Sequence, residues 1–284
     1  MDERTDPSGR EGADRTRSAR QMTRAEFLRL SITAASLWAL ADGIEGQTPG
    51  RPAMERRRIP SGGALLPVVG CGTWRGFDVA AGKREPLRAV LQALFDAGGT
   101  LIDSSPMYGE AEAAVGDLLT RMDAHEKAFL ATKVWTRGQA AGIAQMERSF
   151  ELLETEHIDL MQVHNLVDWR AHLPTLHAWK SQGRIGYVGI THYTPSAHDE
   201  LEQVMRTETV DFVQVDYAAD DRSAESTLLP LAAERGVAVV VNRPFGGGGL
   251  LRRLRGRPLP EWAADLECGS WAQILLKFVL GPST

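Results

Sequence analysis

From residue 62 onward, short apolar runs rich in β-branched residues alternate with segments whose apolar positions recur at helical spacing. After a first apolar run at 65–70, the pattern predicts strands at 100–103, 128–134, 158–164, 185–191, 210–216 and 237–242. Helices are predicted between them at 85–97, 110–121, 143–154, 172–182, 196–205 and 224–235, with a last one at 270–280. The helix at 85–97 places Val90, Leu91, Leu94 and Phe95 on one face. Gly183 and Gly236 follow the last periodic residues of their helices, where a left-handed cap favours glycine. The strands are apolar throughout, the pattern of parallel strands buried on both faces. Repeated βα units make either a barrel or an open doubly wound sheet. No Gly-x-Gly-x-x-Gly follows the first strand, which weakens a dinucleotide-binding open sheet. Polar residues close nearly every strand, where a (β/α)8 TIM barrel keeps its chemistry.

A chain of 284 residues, 43% hydrophobic and 24% charged, accommodates one such barrel of about 250 residues. The formal net charge of −5 offers no basic stripe for nucleic acid. Cys71 and Cys268 are too few for a disulfide framework or a metal cluster and read as ordinary buried thiols. Residues 1–60 read differently. Residues 1–22 are crowded with charge and glycine and read as disordered. A basic segment around Arg24 and Arg29, an apolar run from 30 to 41 and a small-residue site at Ala39-Leu40-Ala41 are the parts of an export signal. That run is too short to span a bilayer of about 30 Å. The segment resembles a twin-arginine signal, but Ala25 stands where the second arginine belongs. A start codon assigned too early, or a simple amphipathic helix, reads equally well, so the chain is either exported or cytoplasmic. Residues 42–58 read as a linker, with a basic cluster at Arg56-Arg57-Arg58. The barrel is expected over 61–284.

Four residues at strand ends suggest a proton relay: Asp103, Tyr108 five positions later, Lys133 and His164. A tyrosine hydroxyl, with a pKa near 10, exchanges protons poorly at neutral pH. An ammonium beside it lowers that value, and a carboxylate holds a buried ammonium charged. Lys133 and Asp103 can do this for Tyr108, making it a general acid-base group. His164 can donate a hydrogen bond to a substrate carbonyl. No side chain donates hydride, so a nicotinamide cofactor is implied. Taken singly, each residue has an ordinary structural explanation, such as a turn cap for Asp103; the four together carry the reading.

The stretches Gly98 to Gly109 (GGTLIDSSPMYG), Thr132-Lys133-Val134, Asp159 to Asn165 (DLMQVHN) and Gly183 to Ile190 (GRIGYVGI) resemble the aldo-keto reductase family. The resemblance runs from about residue 62 to 280. It implies NADP(H)-dependent reduction of aldehydes or ketones, or the reverse, with Tyr108 as acid-base residue and Asp103, Lys133 and His164 supporting it. On the cofactor side, Thr191-His192 stands where the family has a Ser-Asn pair, and Gln214 matches the glutamine that binds the carboxamide. Asn242 stands where an aromatic often stacks on the nicotinamide, leaving Phe245 or Arg243 to hold the ring. Gly246 to Gly249 would let backbone approach the pyrophosphate or form a plain flexible loop. Trp74, Trp135, Trp169 and Tyr193 are expected to line the mouth, with aromatic walls suited to small apolar or aromatic carbonyls.

The family continues into an eighth strand and helix beyond the point where this sequence stops, so an incomplete barrel is expected, as from a truncated or frame-shifted reading of a longer gene. Two unpaired sheet edges would weaken stability and cofactor binding unless another chain fills the gap. The alternative function is therefore a catalytically impaired barrel that acts as a binding or structural protein. A metal-dependent hydrolase built on Asp103, His164 and His192 is a weaker reading, since no His-x-His pair closes the first strand.

Overall fold

The computed structural model describes residues 54–281. The expected leader and most of the expected linker lie outside the described residues.

The chain enters through a β-hairpin. Strand β1 (Arg56–Arg58) pairs antiparallel with β2 (Leu65–Pro67), in the register Arg57 opposite Leu66. Arg56–Arg58, expected within a linker, forms a strand instead, and the first apolar run supplies its partner at Leu65–Pro67. Pro67 cannot donate to a ladder, so β2 ends there. Ile59 and Leu66 then pack against Leu101, Ala131, Leu160 and Phe212, which lie in the first halves of their barrel strands. The hairpin thus plugs the amino-terminal end of the barrel with apolar side chains.

Seven parallel strands follow: β3 (Cys71–Gly72), β4 (Leu101–Asp103), β5 (Phe129–Val134), β6 (Ile158–His164), β7 (Ile185–Thr191), β8 (Phe212–Asp216) and β9 (Ala238–Asn242). They form one sheet in sequence order. Helices α1 (Glu85–Asp96), α2 (Ala111–Met122), α3 (Gln139–Leu153), α4 (Trp169–Ser181), α5 (His198–Thr207), α6 (Leu228–Arg235), α7 (Gly249–Leu254) and α8 (Trp271–Leu280) fall between and after them. The order, the parallel pairing and the helical crossovers make a (β/α)8-type barrel that is incomplete by one strand among the described residues. Gly183 and Gly236 take the left-handed conformations expected of them, φ 73° and 65°. The short helix α7, directly after the glycine run, has no counterpart in the sequence prediction.

The open seam lies between β3 and β9, which do not pair with each other. Its effect on packing is visible along the sheet. Every residue of β8 is buried, whereas every residue of β9 is half-buried. Helix α1 follows the edge strand, and Val90, expected on its core face, is 45% exposed.

Register decides what the barrel mouth contains. Gly72 stands opposite Asp103, Lys133 opposite Gln162, His164 opposite Thr191, Thr191 opposite Gln214, and Asp216 opposite Asn242. The polar residues that close successive strands therefore converge at the carboxyl end of the sheet.

Candidate active site

The centre of the site is a buried ion pair. Lys133, 0% exposed, donates to Asp103 Oδ1 at 2.8 Å, Asp103 Oδ2 at 2.7 Å and the Ser104 carbonyl at 2.7 Å. An ammonium has three N–H groups, and all three are used. Gln162, buried in β6, donates its amide to Asp103 Oδ1 at 3.0 Å. The carboxylate thus accepts three hydrogen bonds, which hold its charge in a largely buried position.

Tyr108 arrives on a single 3-10 turn, Pro106–Tyr108. Ser105 caps that turn by accepting the Met107 N–H at 3.2 Å, and Pro106 occupies its first position, where no N–H is needed. The tyrosine ring lies with its centroid 5.2 Å from Lys133 Nζ and meets His164 edge to face at 5.7 Å. All four relay residues are brought together.

The titration of Tyr108 departs from the sequence reading. Burial, and then the negative charge of Asp103, push its phenol up rather than down. Asp103 grips Lys133 with both oxygens, so the ammonium's field at the phenol is offset by a carboxylate, and desolvation of the phenolate decides the direction. His164, 5% exposed at the end of β6, shifts the other way. Burial, the Lys133 charge and His192 hold its imidazole down to about 3.

That shift has a consequence for stability. Between about pH 3 and 6.5 the unfolded chain protonates this histidine and the folded one does not. Stability should therefore fall as pH drops through that window, by about 1 kcal/mol per pH unit from this residue. Urea melts of wild type and His164→Gln from pH 7 to pH 4 should show a shallower slope in the variant; parallel slopes would refute the assignment.

The cavity over these residues has a volume of about 840 Å³ and runs down the open seam. Asp103, Tyr108, His164, Gln214, Asn242 and Phe245 are among the residues that line it. On its cofactor-like side, Thr191 donates to Gln214 Oε1 at 3.2 Å. Asn242 donates to the His192 carbonyl at 3.2 Å, while its own Oδ1 is buried with no hydrogen-bond partner. Arg243, at φ 53°, lies over the Tyr193 ring and donates to the Tyr193 carbonyl at 3.2 Å. Gly247 lines the cavity at φ 62°; Gly246 instead packs beside Asp220 and does not.

Two expected residues sit elsewhere. His192 is drawn away from the cavity: its Nδ1 accepts from the Thr194 N–H and sits 3.2 Å from the Thr194 hydroxyl, and its ring stacks on Tyr193. Trp169, 6% exposed, lies in the helical layer, where its indole N–H donates to Glu200 at 3.1 Å, so it lines no part of the cavity. Trp74 and Tyr193 line the mouth and are exposed; Trp135 is exposed beside His164, ring centroids 6.4 Å apart. Cys268 is buried, and Cys71 is only half-buried at the start of β3. Among the described residues no three His, Cys, Asp or Glu side chains gather in a way that could hold a metal ion. No described helix is long and apolar enough to cross a membrane.

Ser105 and Gln162 were missed as site residues. Gln162 carried a signal, since a glutamine inside an otherwise apolar strand needs a buried partner.

Comparison with known proteins bears on the family and the fold. Methylglyoxal reductase YeaE of Escherichia coli (strain K12) is 32% identical over 236 residues, covering 80% of this chain and 82% of its own length. Aldo-keto reductase YhdN of Bacillus subtilis (strain 168) is 26% identical over 205 residues, covering 66% of this chain and 61% of its own. Among solved structures, an aldo/keto reductase from Klebsiella pneumoniae in complex with NADP and acetate superposes with a TM-score of 0.64 at 21% identity, over 82% of this chain and 91% of that one, which speaks to the fold. The Aldo/keto reductase family matches residues 68–280, and this chain belongs to that family.

Proposed function

We propose that this protein reduces small aldehydes or ketones to alcohols, or runs the reverse, with NADP(H), and that Tyr108 exchanges the proton. The observation that carries the reading is the convergence of the Lys133–Asp103 pair, the Tyr108 ring and His164 on one cavity.

The residues across the cavity fit a nicotinamide carboxamide. Asn242 Oδ1 is buried with no hydrogen-bond partner, and Asn242 and Gln214 both line the cavity. Arg243 and Gly247 line it too and are the residues that would meet a phosphate. The cofactor, when bound, supplies the hydride. The chain's own part is to place the carbonyl oxygen between His164 and the Tyr108 hydroxyl and to deliver the tyrosine proton to that oxygen. A tyrosine is protonated at neutral pH, so Tyr108 holds the proton that reduction needs, and burial with Asp103 makes it give that proton only to a strongly basic oxygen. Lys133, held in place by Asp103, sets its ammonium beside the Tyr108 ring, where its positive charge favours the phenolate as the proton leaves. Trp74, Trp135 and Tyr193 at the mouth suit compact apolar or aromatic carbonyls.

Methylglyoxal is the first substrate to try, because the Escherichia coli relative is named for it; benzaldehyde probes the aromatic class. NADPH consumption with either, followed by absorbance, is the expected result. The second reading, a barrel that binds without turnover, is favoured by the seam between β3 and β9. It predicts weak NADPH binding by fluorescence and no consumption of any carbonyl in the panel, and that outcome would replace the first reading.

A further inference from the structure

We propose that Ser105 is a positioning residue that fixes the tautomer of His164, so that the imidazole presents its Nε2–H to the cavity. This rests on the reading of His164 as the group that orients the carbonyl.

The argument is a count of protons. Ser105 is 0% exposed, and its Oγ lies 2.9 Å from His164 Nδ1. The same Oγ accepts the Met107 N–H at 3.2 Å. A neutral imidazole carries one N–H and one bare nitrogen, and a hydroxyl has a single proton to give. Two arrangements are open. If Nδ1 carries the proton, it donates to Oγ, which then accepts twice; the serine proton has no acceptor among the described residues, and Nε2 faces the cavity as a bare lone pair. If Nε2 carries the proton, the serine O–H donates to Nδ1, its oxygen accepts from Met107, and every group of the pair is satisfied. A buried donor without a partner loses its hydration and gains nothing in return, so the second arrangement prevails. It is also the one that presents a donor, rather than an acceptor, to a carbonyl oxygen.

The ring is neutral over the pH range that matters, because burial and the Lys133 charge oppose a second proton. Among the described residues no other group hydrogen-bonds to Nδ1, so the serine distinguishes the two tautomers. Ser105 therefore links the two reacting sides of the pocket: its oxygen starts the turn that carries Tyr108, and its proton orients the histidine.

The test reads the nuclei directly. Protein labelled with 15N-histidine at pH 7, with the His164 signals assigned by their loss in His164→Gln, should show a protonated Nε2 and a bare Nδ1. In Ser105→Ala the two nitrogens should move toward an averaged mixture of tautomers, and kcat/KM for the carbonyl should fall about tenfold with the NADPH Kd unchanged. A protonated Nδ1 in wild type overturns the proposal. So does an S105A variant that keeps the wild-type tautomer, which would reduce Ser105 to a turn cap. Should S105A fail to fold, Ser105→Cys provides a weaker donor at the same place, and the same nuclei are read. The tautomer is observed without turnover, so failure of the reductase reading and failure of this inference give different results.

Discussion

Tyr108→Phe should lower kcat for NADPH-dependent carbonyl reduction by roughly 10²–10⁴-fold, the span that general acid-base groups contribute, while leaving the fold and the NADPH Kd in place. The separation follows from the geometry. The Tyr108 hydroxyl makes no hydrogen bond among the described residues, so its removal breaks none. The ring keeps its contacts, edge-on to His164 and beside Lys133 Nζ. What is lost is the one proton placed for the carbonyl oxygen. A variant that retained a tenth of wild-type turnover would remove Tyr108 from the mechanism. The direction of its shift adds a further expectation within the same experiment. A phenol pushed up by burial and by Asp103 is protonated at neutral pH and gives up its proton less readily than a free one. Reduction should be nearly flat through neutral pH, whereas alcohol oxidation should climb as the solution turns alkaline.

The sequence was most readable where one physical cause acts locally. A parallel strand buried on both faces must be apolar along its length, and a helix that turns back toward the sheet needs a left-handed residue, so Ile158–His164 and Ile185–Thr191 were found to the residue and Gly183 and Gly236 fell in place. The relay was readable because each βα unit restarts its strand at the same level, which carries Asp103, Lys133 and His164 to one mouth. What stayed hidden depends on pairs distant in sequence. Arg56–Arg58 has no apolar alternation and looked like a linker; its partner β2 makes it a strand. Trp169 and His192 looked like site residues, and Glu200 and Thr194 draw them elsewhere. The rise of the Tyr108 phenol could not be read from the sequence, since it turns on how far the fold buries the ring and how it sets Asp103 beside it. Ser105 was in plain view inside the motif, but its partner lies 59 positions away.

Asp103→Asn should destabilise the protein by about 3–5 kcal/mol, the range for breaking a buried pair from one side. The substitution barely changes shape, so the effect reports charge and donor count. The Asp103 carboxylate accepts two N–H groups from Lys133 and one from Gln162. A carboxamide has one oxygen to accept with, and its NH₂ would face donors. At least one of those buried N–H groups must lose its partner, and the lysine, 0% exposed, has no water to turn to. Adding Lys133→Met should recover most of the loss, because replacing both members of a buried pair by groups of similar volume is often neutral. Urea melts of the two single variants and the double variant form a closed cycle that separates the pair's interaction from each residue's own packing. A strongly coupled cycle, with the double variant near wild type in stability yet inactive, would mean that the Lys133–Asp103 pair is kept for the reaction at Tyr108 and not for the fold. An Asp103→Asn variant as stable as wild type would mean that the ammonium is satisfied by the Ser104 carbonyl and some other acceptor, and that the carboxylate is not what anchors it.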